Sequence, residues 1–291
     1  MKIAIYGRVL HEQDIPYVKE LINALVSNDF EIKFHEVFFN FIKQEIDVPK
    51  AYELFFNSKD LGNVNFVISV GGDGTLLDVV TIVGDSGIPV IGINTGRLGF
   101  LSTINKSQIP EVVSAIMNGK YSIEERSLLR LDSNNSLFGS SNYALNEFAL
   151  HKKDVSSLIV VHTYINGEFL NSFWADGLIV STPTGSTAYN LSCGGPIVFP
   201  NSNNFVINPL APHNLTQRPI VVSDDCEISF EIEGRSNQFL CTLDSRIETV
   251  DSSVQMTVRK ADFTIKILRV ETDDFMTTLR NKMMWGVDKR N

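Results

Sequence analysis

Cysteine is scarce in this chain of 291 residues: Cys193, Cys226 and Cys241 are all there are. They are odd in number and fall in no CxxC spacing, so no zinc ribbon or disulfide framework is indicated, and a reducing, cytoplasmic setting fits. Positive charge is also short. Against 34 Asp and Glu stand 25 Lys and Arg, a formal charge of −9, which opposes the extended basic surface that nucleic-acid binders use to neutralise phosphates. No apolar run approaches the roughly 20 residues a membrane helix needs. The start, MKIAIYGRVLHEQD, is unlike a signal peptide, so neither secretion nor membrane insertion is expected. There is no GxxxxGK[ST] loop, no GxSxG elbow and no HExxH, and His11, His35, His151, His162 and His213 show no metal-ligand spacing. P-loop and hydrolase chemistry therefore receive little support.

Apolar residues at 43% and charged residues at 20% are ordinary globular values. KIAIYG reads as a strand, and from Asp14 the residues Ile15, Val18, Leu21, Ile22, Leu25 and Val26 repeat at helical spacing. FEIKFHEVFF is expected to be a strand, with a helix around residues 49–57, then the strand NFVISV, the helix TLLDVV and the strand IPVIGIN. Such alternation predicts a mostly parallel sheet covered by helices, with ligands at the carboxyl ends of its strands. The five Phe of residues 30–41 are expected in the core. After the helix SQIPEVVSAIMNG come short β-prone runs to FTIKILRV, with Asn166-Gly167 set for a tight hairpin. DDFMTTLRNKMMWG is again helical, with Phe275, Leu279 and Met283 on one face, and is expected to pack back on the first domain. The expectation is an α/β N-terminal Rossmann-like domain, residues 1–101 with 271–291, and a β-rich C-terminal domain, 102–270.

Two loops carry chemistry. GGDGT, Gly71 to Thr75, joins a strand to a helix. Glycines there let backbone N–H groups approach phosphate oxygens, and Asp73 between Gly72 and Gly74 is either a turn carboxylate or one placed to take a proton from an alcohol or to hold a metal. Thr75 is the alternative helix cap. The second, DGLIVSTPTGSTAYNLSCGGP, Asp176 to Pro196, concentrates hydroxyls and backbone amides that can bind sugar or phosphate, with Tyr189 offering a flat face to a base. Asn146-Glu147 interrupts the apolar run YALNEFAL, so the pair is either at an exposed edge or facing a ligand.

Together with NTGRLGF, and in this order and spacing, these motifs resemble the bacterial NAD kinases over most of the chain. GGDGT alone is shared with lipid kinases and phosphofructokinases; the segment Asp176–Pro196 is far more specific. The resemblance implies ATP-dependent phosphorylation of the 2′-hydroxyl of the adenosine ribose of NAD to give NADP. It also implies a divalent metal cation, Mg²⁺ above others, a crevice between the two domains, and a homo-oligomer, dimer or tetramer. It assigns Asp73 as general base and Gly72 and Gly74 as phosphate-loop residues. Asn146 and Glu147 would contact the adenosine portion and Asp176 the nicotinamide-ribose side, with Thr187, Ala188, Tyr189, Asn190, Leu191 and Ser192 as the second wall. The chain departs from the family at Trp174-Ala175 and near Ser157, where basic residues are common, and at Asp78, where some members carry Arg. Arg246 is the residue expected to offset the missing charge.

Overall fold

The structure is a computed structural model that describes residues 1–49, 51–154, 157–270 and 274–284. Its contacts divide the chain into two units, Met1–Glu125 with the described residues from Ile265 on, and Arg126–Thr264. The first unit thus runs past the expected 101/102 boundary, because the helix at 109–118 packs on the first sheet.

That unit contains β1 (Lys2–Gly7), α1 (Ile15–Ser27), β2 (Glu31–His35), α2 (Glu36–Ile42), β3 (Glu53–Phe55), β4 (Phe66–Val70), α3 (Asp73–Val83), β5 (Val90–Asn94), β6 (Ile104–Asn105) and α4 (Ile109–Asn118). The strands lie parallel in the order β3-β2-β1-β4-β5, a doubly wound arrangement whose order reverses between β1 and β4. Side-chain alternation assigns the two faces. Ile3, Ile5, Phe34, Ile68 and Ile91 form one core with Leu21, Ile22 and Leu25 of α1 and Val112 and Ile116 of α4. On the opposite face α3 buries Leu76, Val79, Val80 and Val83. The phenylalanines of residues 30–41 join the first core.

Two expectations in this unit fail. FEIKFHEVFF is a strand only as far as His35; beyond it Phe38, Phe39 and Ile42 are buried at helical spacing and the chain turns into α2. The helix expected around 49–57 is instead the short strand β3, paired in parallel with β2 through Lys33↔Glu53 to His35↔Phe55; residue 50 lies outside the described residues. Lys2 and Lys33 both bind the Glu53 carboxylate, and Asn57 and Asp60 form a capping box on a 3-10 turn. Pairing and capping here outweigh a weak helical pattern.

The chain then passes through β7 (Tyr121–Ser133), β8 (Tyr143–Ala144), β9 (Glu147–Lys152), β10 (Ile159–Ile165), β11 (Glu168–Ala175), β12 (Gly177–Ser181), α5 (Tyr189–Ser192), β13 (Asn204–Leu210), β14 (Ile220–Ser223), β15 (Ile228–Gly234), β16 (Phe239–Leu243), β17 (Arg246–Val250), β18 (Met256–Val270) and α6 (Phe275–Met283). An antiparallel sheet in the order β14-β13-β12-β9-β16-β17 faces β10, β11 and β15. Phe148, Leu150, Leu178, Val180 and Phe205 from the first pack on Val161, Phe173 and Phe230 from the second, with the Phe148 and Phe230 rings stacked at 5.2 Å. Each such side chain contributes about 1.5–3 kcal/mol by leaving water. Asn166 and Gly167 both take positive φ, 51° and 82°, and close the tight β10–β11 hairpin. All three cysteines are free, and burial pushes the Cys241 thiol up to about 12, leaving it inert. α6 belongs to the first unit, where the Phe275 ring lies 6.5 Å from that of Phe100. Among the described residues no helix is long and apolar enough to cross a membrane.

Candidate functional site

At the carboxyl edge of the parallel sheet β4 runs into the glycine loop. Gly71 has φ +152°, and a Cβ there would sit 2.3 Å from Thr75 Oγ1, so the turn requires glycine. Gly72, in extended conformation, is the N-cap and Asp73 opens α3. Thr75 is therefore not the cap: it is the third helical residue, its N–H donating to the Gly72 carbonyl at 3.0 Å. A Cβ at Gly72 or Gly74 would meet nothing within 4 Å. The loop's outer face is open, and the first amides of a helix have no intrahelical partner and favour an anion.

The Asp73 carboxylate turns back onto NTGRLGF, the loop after β5. Oδ2 accepts the Phe100 N–H at 2.8 Å, and Oδ1 accepts those of Leu101 at 3.2 Å and Ser102 at 2.9 Å. Such an approach is possible only because residue 99 is glycine, whose Cβ would lie 1.8 Å from Oδ1. Asn94 secures the loop from inside, donating to the Arg97 carbonyl and accepting from the Gly96 N–H. Of roughly four lone-pair directions on a carboxylate, three are taken and one, on Oδ2, is left. Asp73 is partly exposed, so a hydroxyl or a metal could reach it.

In the second unit a separate cluster forms around Asn146-Glu147, where the turn after β8 enters β9. Asp244, in the β16–β17 turn with φ +52°, accepts the N–H groups of Leu145, Asn146 and Glu147 at 2.9, 2.8 and 3.2 Å. The loop after β12 folds onto the same turn. Thr182 N–H donates to the Asn146 carbonyl and Thr182 Oγ1 to that of Leu145, and a Cβ on Gly185 would fall 2.0 Å from the Asn146 oxygen. Ser186 binds the Pro183 carbonyl and the Val198 N–H. Asn190 donates to the Ser186 and Pro196 carbonyls and accepts from Asn208. Much of the hydroxyl and amide content of this segment thus holds the loop's own shape, while Thr187, Ala188, Tyr189, Leu191 and Ser192 keep exposed surface.

Glu147 is buried, and its Oε2 has no partner among the described residues. Burial first, then the Asp244 carboxylate, push its acid up to about 8 against the pull of the Tyr189 N–H. Burial thus favours the neutral acid, which carries a proton it could donate to a ligand. Asp244 is raised as well, by burial. Asp176 pairs with Lys152 at 2.5 Å and, with His151, Tyr189, Ser192 and Cys193, lines a cavity of about 460 Å³. The structure therefore gathers Asp176, Tyr189 and Ser192. Arg246 is oriented otherwise: its guanidinium donates to the Ser141 and Tyr143 carbonyls and lies against the Phe138 and Tyr143 rings. Trp174 and Ser157 line another cavity, of about 500 Å³, where Arg235 brings a guanidinium. Sequence reasoning missed Asp244, Lys152 and His151; for Asp244 the signal was an Asp-Ser pair between two β runs, a turn that places a carboxylate.

A doubly wound α/β unit with a carboxylate-bearing glycine loop, continued by a β-rich unit with a second shaped loop, suits the class of small-molecule kinases that phosphorylate an alcohol. Comparison with known proteins makes this specific. The ATP-NAD kinase N-terminal domain matches residues 5–121 and the ATP-NAD kinase C-terminal domain residues 145–270. The NAD kinase of Cytophaga hutchinsonii is 50% identical and that of Flavobacterium johnsoniae 45%, each covering 100% of both chains. An NAD kinase from Archaeoglobus fulgidus solved in complex with ATP is 27% identical, with TM-score 0.74 over 98% of this chain and 99% of that one. Yeast NADH kinase complexed with NADH shares the fold, with TM-score 0.87 at 23% identity over 99% of this chain and 88% of that one. The chain belongs to the ATP-NAD kinase family, whose reaction is ATP-dependent phosphorylation of NAD.

Proposed function

We propose that the chain transfers the γ-phosphoryl group of ATP to the 2′-hydroxyl of the adenosine ribose of NAD, giving NADP, with Asp73 as the general base. The observation that carries this is the Asp73 carboxylate, fixed by three backbone N–H groups with one Oδ2 acceptor position left over, in a loop cleared of side chains. That position takes the hydroxyl proton as the ribose oxygen attacks the γ-phosphorus; the bond to the ADP oxygen breaks and ADP leaves. Positioning and charge stabilisation do most of the work in such transfers. The amides at the start of α3, around Gly72 and Gly74, serve the phosphates.

NAD would be held by the second unit. Asn146 and neutral Glu147 contact the adenosine portion, Asp176 the nicotinamide-ribose side, and Thr187, Ala188, Tyr189, Leu191 and Ser192 the wall, with Asn190 and Arg246 supporting from behind. Among the described residues no three His, Cys, Asp or Glu side chains converge as a metal cage. A divalent cation would be held by the triphosphate and its own waters, the one free acceptor direction of Asp73 serving the hydroxyl. Bound there, it would neutralise charge on the phosphates. The resemblance to bacterial family members supports a homo-oligomer, dimer or tetramer, and three free thiols suit the cytoplasm.

The test is a coupled assay. Purified protein with ATP and magnesium should convert NAD to a product that an NADP-specific dehydrogenase reduces, with NADH run in parallel. No product across several metals and donors would contradict the proposal.

A further inference from the structure

Arg8 follows β1 at the carboxyl edge of the parallel sheet. Because Gly7 is in register with Val70, it leaves the sheet beside Gly71, between the two strands where the order reverses, which is where crevices open in such sheets. Its side chain is 57% exposed yet held in one orientation. Nε donates to Asp78 Oδ2 at 2.6 Å and Nη2 to Asp78 Oδ1 at 2.7 Å, a fork-to-fork pair, and Tyr6 Oη donates to the same Oδ2 at 2.9 Å. Asp78 lies on α3, the helix that Asp73 opens. An exposed ion pair adds only about 0–1 kcal/mol of stability, so stability alone is a weak reason for immobilising a long side chain with two partners. A guanidinium has five N–H groups. Two are bound to Asp78, through Nε and Nη2, which leaves the second Nη2 hydrogen and both of Nη1.

We propose that Arg8 is a contact for the phosphate chain of the donor nucleotide, aimed by Asp78 and Tyr6 as positioning residues. The inference rests on the kinase reading above and adds a residue to its donor side. Asp78 engages the fork on one edge and leaves the other free for phosphate oxygens, which guanidinium binds by charge-assisted hydrogen bonds. Pre-orientation means that less side-chain freedom is lost when the nucleotide arrives.

The test uses the full chain and the variants Arg8→Ala, Arg8→Lys, Asp78→Asn and the double variant Arg8→Ala/Asp78→Asn. Each substrate is varied in turn, and magnesium ATP is also titrated calorimetrically without NAD. Arg8→Ala should raise both the KM and the Kd for ATP about tenfold and leave the KM for NAD within about twofold. Arg8→Lys should recover part of the loss, since it keeps the charge but not the fork. Asp78→Asn should fall between, and adding it to Arg8→Ala should cost nothing further, because the two act through one contact. Unchanged ATP constants in Arg8→Ala would overturn the proposal. So would a parallel rise for ATP and NAD with a lowered Tm, the mark of a tie that only braces α3. If the wild type makes no NADP, the kinase reading falls, and the ATP titration still decides Arg8.

Discussion

The loop after β4 and the turn before β9 each set a carboxyl group among backbone N–H groups, with different results. Asp73 accepts three N–H groups, remains partly exposed and keeps one acceptor direction. At Glu147 the three neighbouring amides are taken by Asp244; the side chain is left with the Tyr189 N–H, an unpartnered buried oxygen and a nearby carboxylate, and its acid rises to about 8. The same functional group is thereby a well-satisfied acceptor in one unit and a poorly satisfied, desolvated acid in the other. Water and the number of donated N–H groups decide which.

The comparison is most sharply broken at Gly99. In Gly99→Ala the new methyl would enter the space of Asp73 Oδ1 and displace the carboxylate or its loop. An error on the order of 1 Å can cost about a hundredfold, so kcat should fall by roughly that factor with little change in NAD affinity. Steady-state kinetics and NAD titration would show the split; equal losses in both would mean that the two loops are not independent. Gly185→Ala strikes the other loop, where the methyl would meet the Asn146 carbonyl. Overpacking of this kind costs about 1–3 kcal/mol, seen as a lower Tm together with a raised KM for NAD.

Glu147→Gln tests the proton assignment. The folded acid titrates near 8, above its ordinary value of 4.5. Its contribution to stability is thus fully present below about 4.5 and is lost as pH rises through about 8. Wild-type Tm should decline from about pH 4.5 to about pH 8 and level off above it, and NAD affinity should decline as the folded acid ionises through about 8. The Gln variant keeps a donor that does not ionise, so it should decline less; parallel profiles would refute a neutral Glu147. The smallest effect is expected from Tyr189→Ala, a few-fold rise in the KM for NAD with kcat nearly unchanged, in keeping with about 0.5–1.5 kcal/mol for an aromatic contact. Tyr189→Phe should restore it.

Much of the first unit was legible because its signals are local. Strand, glycine turn and helix around residues 66–83 follow from apolar runs broken by Gly71 and Gly72, and the Asn166-Gly167 hairpin follows from backbone geometry. What escaped depends on partners distant in sequence. β3 is a strand because β2 offers it an edge and two lysines bind Glu53. Phe38 and Phe39 alternate too little to show that the chain turns helical at Glu36. Of the site, GGDGT and the Asp176–Pro196 segment could be read as motifs. That Asp73 spends three of its acceptor positions on residues 100–102, and that Asp244 organises Asn146-Glu147 from about a hundred residues away, could not, since no local pattern encodes which loops meet.

The central claim is that Asp73 is the base and not merely the anchor of the loop after β5. In Asp73→Asn an amide NH₂ must face at least one of the three N–H groups, so some loss of Tm is expected under either role. Turnover at saturating ATP and NAD, measured beside the NAD Kd, separates them. The base assignment predicts a kcat lower by about a hundredfold or more with the NAD Kd within about threefold; a kcat within about tenfold of wild type would contradict it.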